Sequence, residues 1–170
     1  MKNPIYPCLW FDGQAKEAAT LYASVFPGIK ITADTPMVVS IESAAQKFMF
    51  LNGGPQFKPN PSISFYVVCE TKKEVDAAWK KLSEGGNVLM PLDKYDWSEH
   101  YGWVQDKFGV NWQLSFGKLA STGQKFSPTV MFTGTQHGNA EKAINFYASV
   151  FSPSSVVGIL RYAEKDGDVP

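Results

Sequence analysis

The chain has 170 residues with sixteen acidic and sixteen basic side chains, and 44% of it is apolar and 14% aromatic. That much apolar content excludes a disordered chain, and the balanced charge offers no basic excess for nucleic acid. No apolar run approaches the roughly 18 residues of a membrane helix, and the first residues lack the apolar core of a signal peptide, so a cytoplasmic protein without membrane contact is expected.

In chain order, "IYPCLWF" (5–11) reads as a strand, and Asp12-Gly13 as the turn and cap before a helix. Ala15, Ala18, Ala19, Tyr22, Val25 and Phe26 recur at helical spacing, and Pro27-Gly28 ends the run. Three short strands follow, at about 29–33, 37–43 and 46–53. "GGPQFKPNP" (53–61) is a connector too rich in Pro and Gly to continue a strand.

The order then repeats. "SISFYVVC" (62–69) is a strand, and Thr71 with Glu74 fits a capping box. Val75, Ala78, Trp79 and Leu82 form one helical stripe. "NVLMPL" (87–92), "YGWVQD" (101–106) and "VNWQLSF" (110–116) read as three more strands. Between them "DKYDWSEH" (93–100) reads as a solvated hairpin loop with Trp97 packed, its spacing matching no calcium loop.

Residues 1–118 therefore read strand-helix-strand-strand-strand twice, and 119–127 as a polar linker. A third unit opens at 128–170: "PTVMFTG" (128–134) parallels "PCLWFDG" (7–13), and "NAEKAINFYASVF" (139–151) parallels "QAKEAATLYASVF" (14–26). A four-residue insert, "TQHG" (135–138), separates the copies, and 155–163 is expected as the next strand. Two strands of this unit are not read in the sequence, so an open sheet edge is expected there.

Two tandem βαβββ units opening with "PCLWFDGQAKEAATLYASVF", followed by "FLNGGP" (50–55), "ISFYVVC" (63–69) and "YGWVQDKFGVNWQL" (101–114), resemble the PhnB-like branch of the vicinal oxygen chelate superfamily. That branch carries the label 3-demethylubiquinone-9 3-methyltransferase. The resemblance implies an α+β fold whose curved mixed sheets enclose a cavity. It also implies metal-ligand positions on four strands, which fall here near Tyr6, Phe48 or Phe50, Ser64 and Gln113. Only Gln113 is a plausible ligand, so neither metal nor cofactor is expected. No glycine-rich strand-to-helix turn supports methyl transfer, and Asn52-Gly53-Gly54 reads as a tight turn because prolines follow it.

Cys8 and Cys69 sit in apolar runs and read as buried free thiols, too few for a disulfide framework. Strand alternation groups Tyr6, Cys8 and Trp10 on one face, Ser64, Tyr66 and Val68 on another, and Asn111, Gln113 and Ser115 on a third. The residues expected to hold a small molecule are Tyr6, Trp10, Phe50, Asn52, Ser64, Tyr66, Trp103 and Gln113. The favoured reading is a metal-free binding protein with an aromatic-lined cavity. The alternative is an enzyme of the same superfamily, of lyase, isomerase or dioxygenase type. A homodimer is expected, with element exchange through residues 127–163.

Overall fold

The computed structural model describes residues 5–43 and 46–161. In the first module, strand β1 (Cys8–Phe11) leads into helix α1 (Ala15–Val25), followed by β2 (Lys30–Asp34), β3 (Val38–Ser43) and β4 (Gln46–Asn52). Their sheet has the order β1-β4-β3-β2, with β1 parallel to β4 and the other pairs antiparallel. The second module repeats it: β5 (Ile63–Cys69), α2 (Lys72–Leu82), β6 (Asn87–Tyr95), β7 (Ser98–Gln105) and β8 (Asn111–Phe116). Here β5 runs parallel to β8 in the order β6-β7-β8-β5. The chain is thus an α+β fold of tandem βαβββ modules.

Each helix forms where apolar spacing predicts, and each buries that stripe on its own sheet. On α1, Ala15, Ala18, Ala19, Tyr22 and Val25 are buried; on α2, Val75, Ala78 and Leu82. The caps differ from expectation. Gln14, not Asp12 or Gly13, precedes α1 and makes no side-chain cap; the distant Asn52 Oδ1 accepts from the Ala15 amide at 2.9 Å instead. At α2 the Thr71 hydroxyl accepts from the Glu74 amide at 3.1 Å. The Glu74 carboxylate, however, accepts from Glu70 N rather than from Thr71, and also pairs with Lys125.

Residues 93–100 are not a loop. β6 runs to Tyr95 and β7 starts at Ser98, so Asp96 and Trp97 alone turn the hairpin. Trp97 is 62% exposed rather than packed inside, yet it stacks on Tyr95 at 5.0 Å and meets the Tyr101 ring edge-on at 5.7 Å. The presumed linker carries a short helix, α3 (Leu119–Thr122), and enters β9 (Phe126–Val130), which adds to the second sheet beside β5. Phe126 is buried against Phe26 and Phe48, and its backbone bonds both ends of the Gln46 amide, which explains why this stretch is ordered.

The chain divides into two compact units, 1–129 and 130–170. In the second unit a 3-10 turn (Gly134–Gln136) precedes helix α4 (Ala140–Val150), and Arg161 forks onto the Glu141 carboxylate at 2.8 and 3.0 Å. The expected strand at 155–163 is not formed by residues 155–161, and 162–163 lie outside the described residues.

One buried carboxylate joins the two modules. Asp106, 3% exposed after β7, accepts from Tyr22 Oη of α1 at 2.7 Å and from Trp112 Nε1 of β8 at 2.8 Å. It also accepts from the amides of Phe108 and Val110, closing the β7–β8 turn. Tyr22 in "YASVF" is therefore a hydrogen-bond donor across the module boundary as well as a packing residue.

Candidate functional site

α2 covers one face of the second sheet: its Trp79 ring packs where Gly102 leaves room, and its Asp76 carboxylate meets His100 at 2.7 Å. A side chain at position 102 would collide with that indole, so glycine here sets the helix-to-sheet distance. The opposite face carries no helix of the module. Strand register arranges its side chains in rows. Gln105, Asn111 and Ser64 form one, Trp103, Gln113 and Tyr66 the next, and Tyr101, Ser115 and Val68 the third.

A hydrogen-bonded chain crosses these rows. Tyr101 Oη donates to Gln113 Oε1 at 2.7 Å, and Gln113 Nε2 donates to Ser64 Oγ at 2.7 Å. Burial pushes the Tyr101 hydroxyl well above its ordinary pKa, and the nearby Tyr66 and Tyr95 hydroxyls add to this, so it remains a donor at neutral pH. Ser98 and Ser115 bond each other at 3.1 Å. Beside the chain, the buried Trp103 Nε1 has no partner among the described residues. Tyr95, Trp97 and Tyr101 form an aromatic cluster at the hairpin end of the face.

On the first sheet, Cys8 and Trp10 share a face with Met49 and Leu51. Trp10 Nε1 donates to Gly54 O at 2.7 Å, its ring lies edge-on to Phe57 at 5.1 Å, and a side chain at Gly53 would overlap its indole. Gly53 is thus what lets Trp10 lie flat against the connector. Two concavities adjoin these rings, one of about 180 Å³ towards β5 and β8, and one of about 410 Å³ towards the β7–β8 turn.

The sequence-derived candidates divide. Ser64, Tyr66, Trp103 and Gln113 come together on the helix-free face of the second sheet, and Trp10 lines both concavities. Tyr6 lies before β1, half-exposed, with the Lys47 ammonium 5.1 Å above its ring. Phe50 is placed differently: it is fully buried on the α1 side of β4, against Phe11 and Tyr22. Asn52 shares that side and is committed to structure, with Oδ1 on Ala15 N and Nδ2 donating to Pro36 O at 2.8 Å. Cys8 is exposed, not buried, whereas burial pushes the Cys69 thiol up to about 12, which leaves it protonated and unreactive. Tyr101, Asn111 and Phe57 were not among the residues expected to hold a ligand; for Tyr101 and Asn111 the signal was present, as each alternates with a chosen neighbour.

The residues present do not fit the superfamily's metal. Of the four positions, Phe48 and Phe50 face α1, and Ser64 and Gln113 are bonded to each other. Among the described residues no three His, Cys, Asp or Glu side chains converge, whereas such cations require carboxylate, imidazole or thiolate donors.

Residues 3–115 match the family described as 3-demethylubiquinone-9 3-methyltransferase. A comparison with curated proteins finds no match. Among solved structures, a PhnB protein from Bacillus cereus is 33% identical, over 68% of this chain and 100% of that one, with a TM-score of 0.63. Protein PA1353 from Pseudomonas aeruginosa is 25% identical, over 68% and 98%, with a TM-score of 0.59. A glyoxalase/bleomycin resistance protein from Albidiferax ferrireducens T118 is 11% identical, over 69% and 100%, at a TM-score of 0.55, a likeness of fold alone. With the paired βαβββ modules in place and the family match spanning both of them, this chain belongs to the 3-demethylubiquinone-9 3-methyltransferase family, the PhnB-like branch of the vicinal oxygen chelate superfamily.

Proposed function

We propose that the chain binds a small, largely apolar molecule on the helix-free face of β5, β7 and β8. The observation that carries this reading is the Tyr101–Gln113–Ser64 chain, flanked by Tyr66 and by the Trp103 indole N–H, which has no partner among the described residues. Aromatic surface with a few fixed polar groups is the usual make-up of small-molecule sites. None of Ser64, Tyr66, Trp103, Gln113 and Tyr101 is a carboxylate or an imidazole, which favours binding over proton transfer. The family's description names a methyltransferase. The two strand-to-helix turns here, Asp12-Gly13-Gln14 and Glu70-Thr71, lack the run of glycines that lets backbone amides cradle a nucleotide-like donor, so the proposal does not extend to methyl transfer. Titration with anilinonaphthalene sulfonate tests it: saturable binding of one probe per chain is expected, and unsaturable binding overturns it.

Assembly with a second copy belongs to the same proposal. Tyr147, Val150 and Phe151 of the second unit repeat Tyr22, Val25 and Phe26 in type and order. The first-unit residues are 0%, 7% and 1% exposed, whereas the second-unit set is 49%, 54% and 49% exposed, and Phe146 beside them is 62% exposed. An exposed apolar helix face of this kind suits a contact with a second copy of the chain. Light scattering at micromolar concentration should give the dimer mass, and Phe146→Glu should lower it. A monomeric wild type contradicts the assembly.

A further inference from the structure

We infer that the two concavities beside Trp10 act together as one site for small aryl carboxylates, with the ring in the smaller and the carboxylate in the larger. Trp10, Phe57, Lys58 and Pro59 line both, so the two are halves of one groove. The halves differ in chemistry. The smaller, of about 180 Å³, is walled by Leu9, Ile63, Phe65 and Val110 together with the shared rings. An apolar protein cavity of roughly 150 Å³ takes up benzene, so this half has room for one ring. The larger, of about 410 Å³, carries two ammonium side chains, Lys58 and Lys107, against one carboxylate, Asp12.

The lysines set the chemistry. Neither forms an ion pair among the described residues, whereas Lys16, Lys94, Lys125 and Arg161 each hold a carboxylate. Both are exposed, so an anion in the groove can reach them. The Lys107 ammonium lies 5.2 Å from the centroid of Phe108, another ring of the larger half. Surface lysines alone gain little from an anion in water. The apolar half beside these two supplies the rest, because it holds the ring of a molecule whose charge they meet. The groove is also fixed in shape. Trp10 Nε1 bonds Gly54 O, the Ser62 and Ile63 amides bond Asn60, and a Cβ at Gly109 would sit 3.8 Å from Pro59. The connector that carries Lys58 therefore stays beside the turn that carries Lys107. None of Tyr101, Gln113 and Ser64 lines the groove, so the inference goes beyond the face proposed above and does not rest on it.

The test compares phenylpropanoate with phenylpropanol, the uncharged molecule of the same ring and chain, by NMR titration of the whole chain, read at the Trp10 indole N–H. An apolar groove without the lysines would prefer the alcohol, because a carboxylate gives up more hydration on entry. The wild type is expected to bind the carboxylate about fivefold or more tightly, with a saturating shift of the Trp10 signal. Added salt should narrow that gap. Lys58→Gln with Lys107→Gln, at two exposed positions that leave the core intact, should abolish the preference. Equal affinities in the wild type, an unmoved Trp10 signal, or a double variant that keeps the preference overturns the inference. The fused rings of the sulfonate probe exceed the one-ring half, so that probe still reports on the face of β5, β7 and β8. A carboxylate that moves the Trp103 signal in place of Trp10 defeats the groove and leaves the face standing.

Discussion

Asp106→Ala should destabilise the chain by ~3–5 kcal/mol, read as a lowered midpoint in urea at unchanged slope. The carboxylate is 3% exposed and holds four donors, from Tyr22, Trp112, Phe108 and Val110. Alanine leaves two buried side-chain donors without an acceptor and removes the tie between α1 and the β7–β8 turn. Asp106→Asn should cost less, ~2 kcal/mol, since the amide oxygen can still serve the two turn amides while Tyr22 and Trp112 go unmet. An Asp106→Ala midpoint within error of the wild type would show that the hub is incidental.

The same residue gives a pH signature. Burial holds the Asp106 carboxyl above its ordinary value of 3.8, although its four hydrogen bonds pull it down. The folded state therefore holds this proton more tightly than the unfolded chain does. The resulting stability is fully present below 3.8 and is lost as pH rises through the folded value. Over that window, wild-type stability should fall relative to Asp106→Asn, and parallel profiles would contradict the assignment.

Gln113→Leu should weaken binding of the sulfonate probe by about tenfold or more, the cost of about one well-placed hydrogen bond. Leucine nearly conserves volume, so the sheet should keep its packing. What is lost is the amide that accepts from Tyr101 and donates to Ser64, and with it the fixed orientation of both hydroxyls. Tyr101→Phe, which keeps the Gln113–Ser64 bond, should have a smaller effect. Equal affinities in wild type and Gln113→Leu would place the probe elsewhere.

Much of this fold is written in periodicity. Alternation groups Ser64 with Tyr66 and Asn111 with Gln113, and the strand register is what joins the two sets on one sheet face. Alternation groups residues by face without saying which face meets a helix. "FMFL" in β4 is apolar on both sides, so nothing local tells that Phe48 and Phe50 point to α1 while Met49 and Leu51 point away. Asn52 is hidden from a local reading for another reason: its partner Ala15 lies 37 residues upstream. The pairing of β9 with β5 and the Tyr22–Asp106 bond, which spans 84 residues, are long-range in the same way. Residues 93–100 look like a loop because they are charged, yet an exposed hairpin of a sheet tolerates charge along its strands.

The central claim is that the helix-free face of β5, β7 and β8 receives a small molecule beside Trp103. The chain has five tryptophans, and each indole N–H gives its own signal in a heteronuclear NMR spectrum. Three are engaged or surface-placed: Trp10 bonds Gly54, Trp112 bonds Asp106, and Trp97 is exposed. On titration with the sulfonate probe, the Trp103 N–H signal should shift downfield and saturate, while that of Trp112 stays in place. A Trp103 signal that does not move while the probe binds saturably would contradict the account.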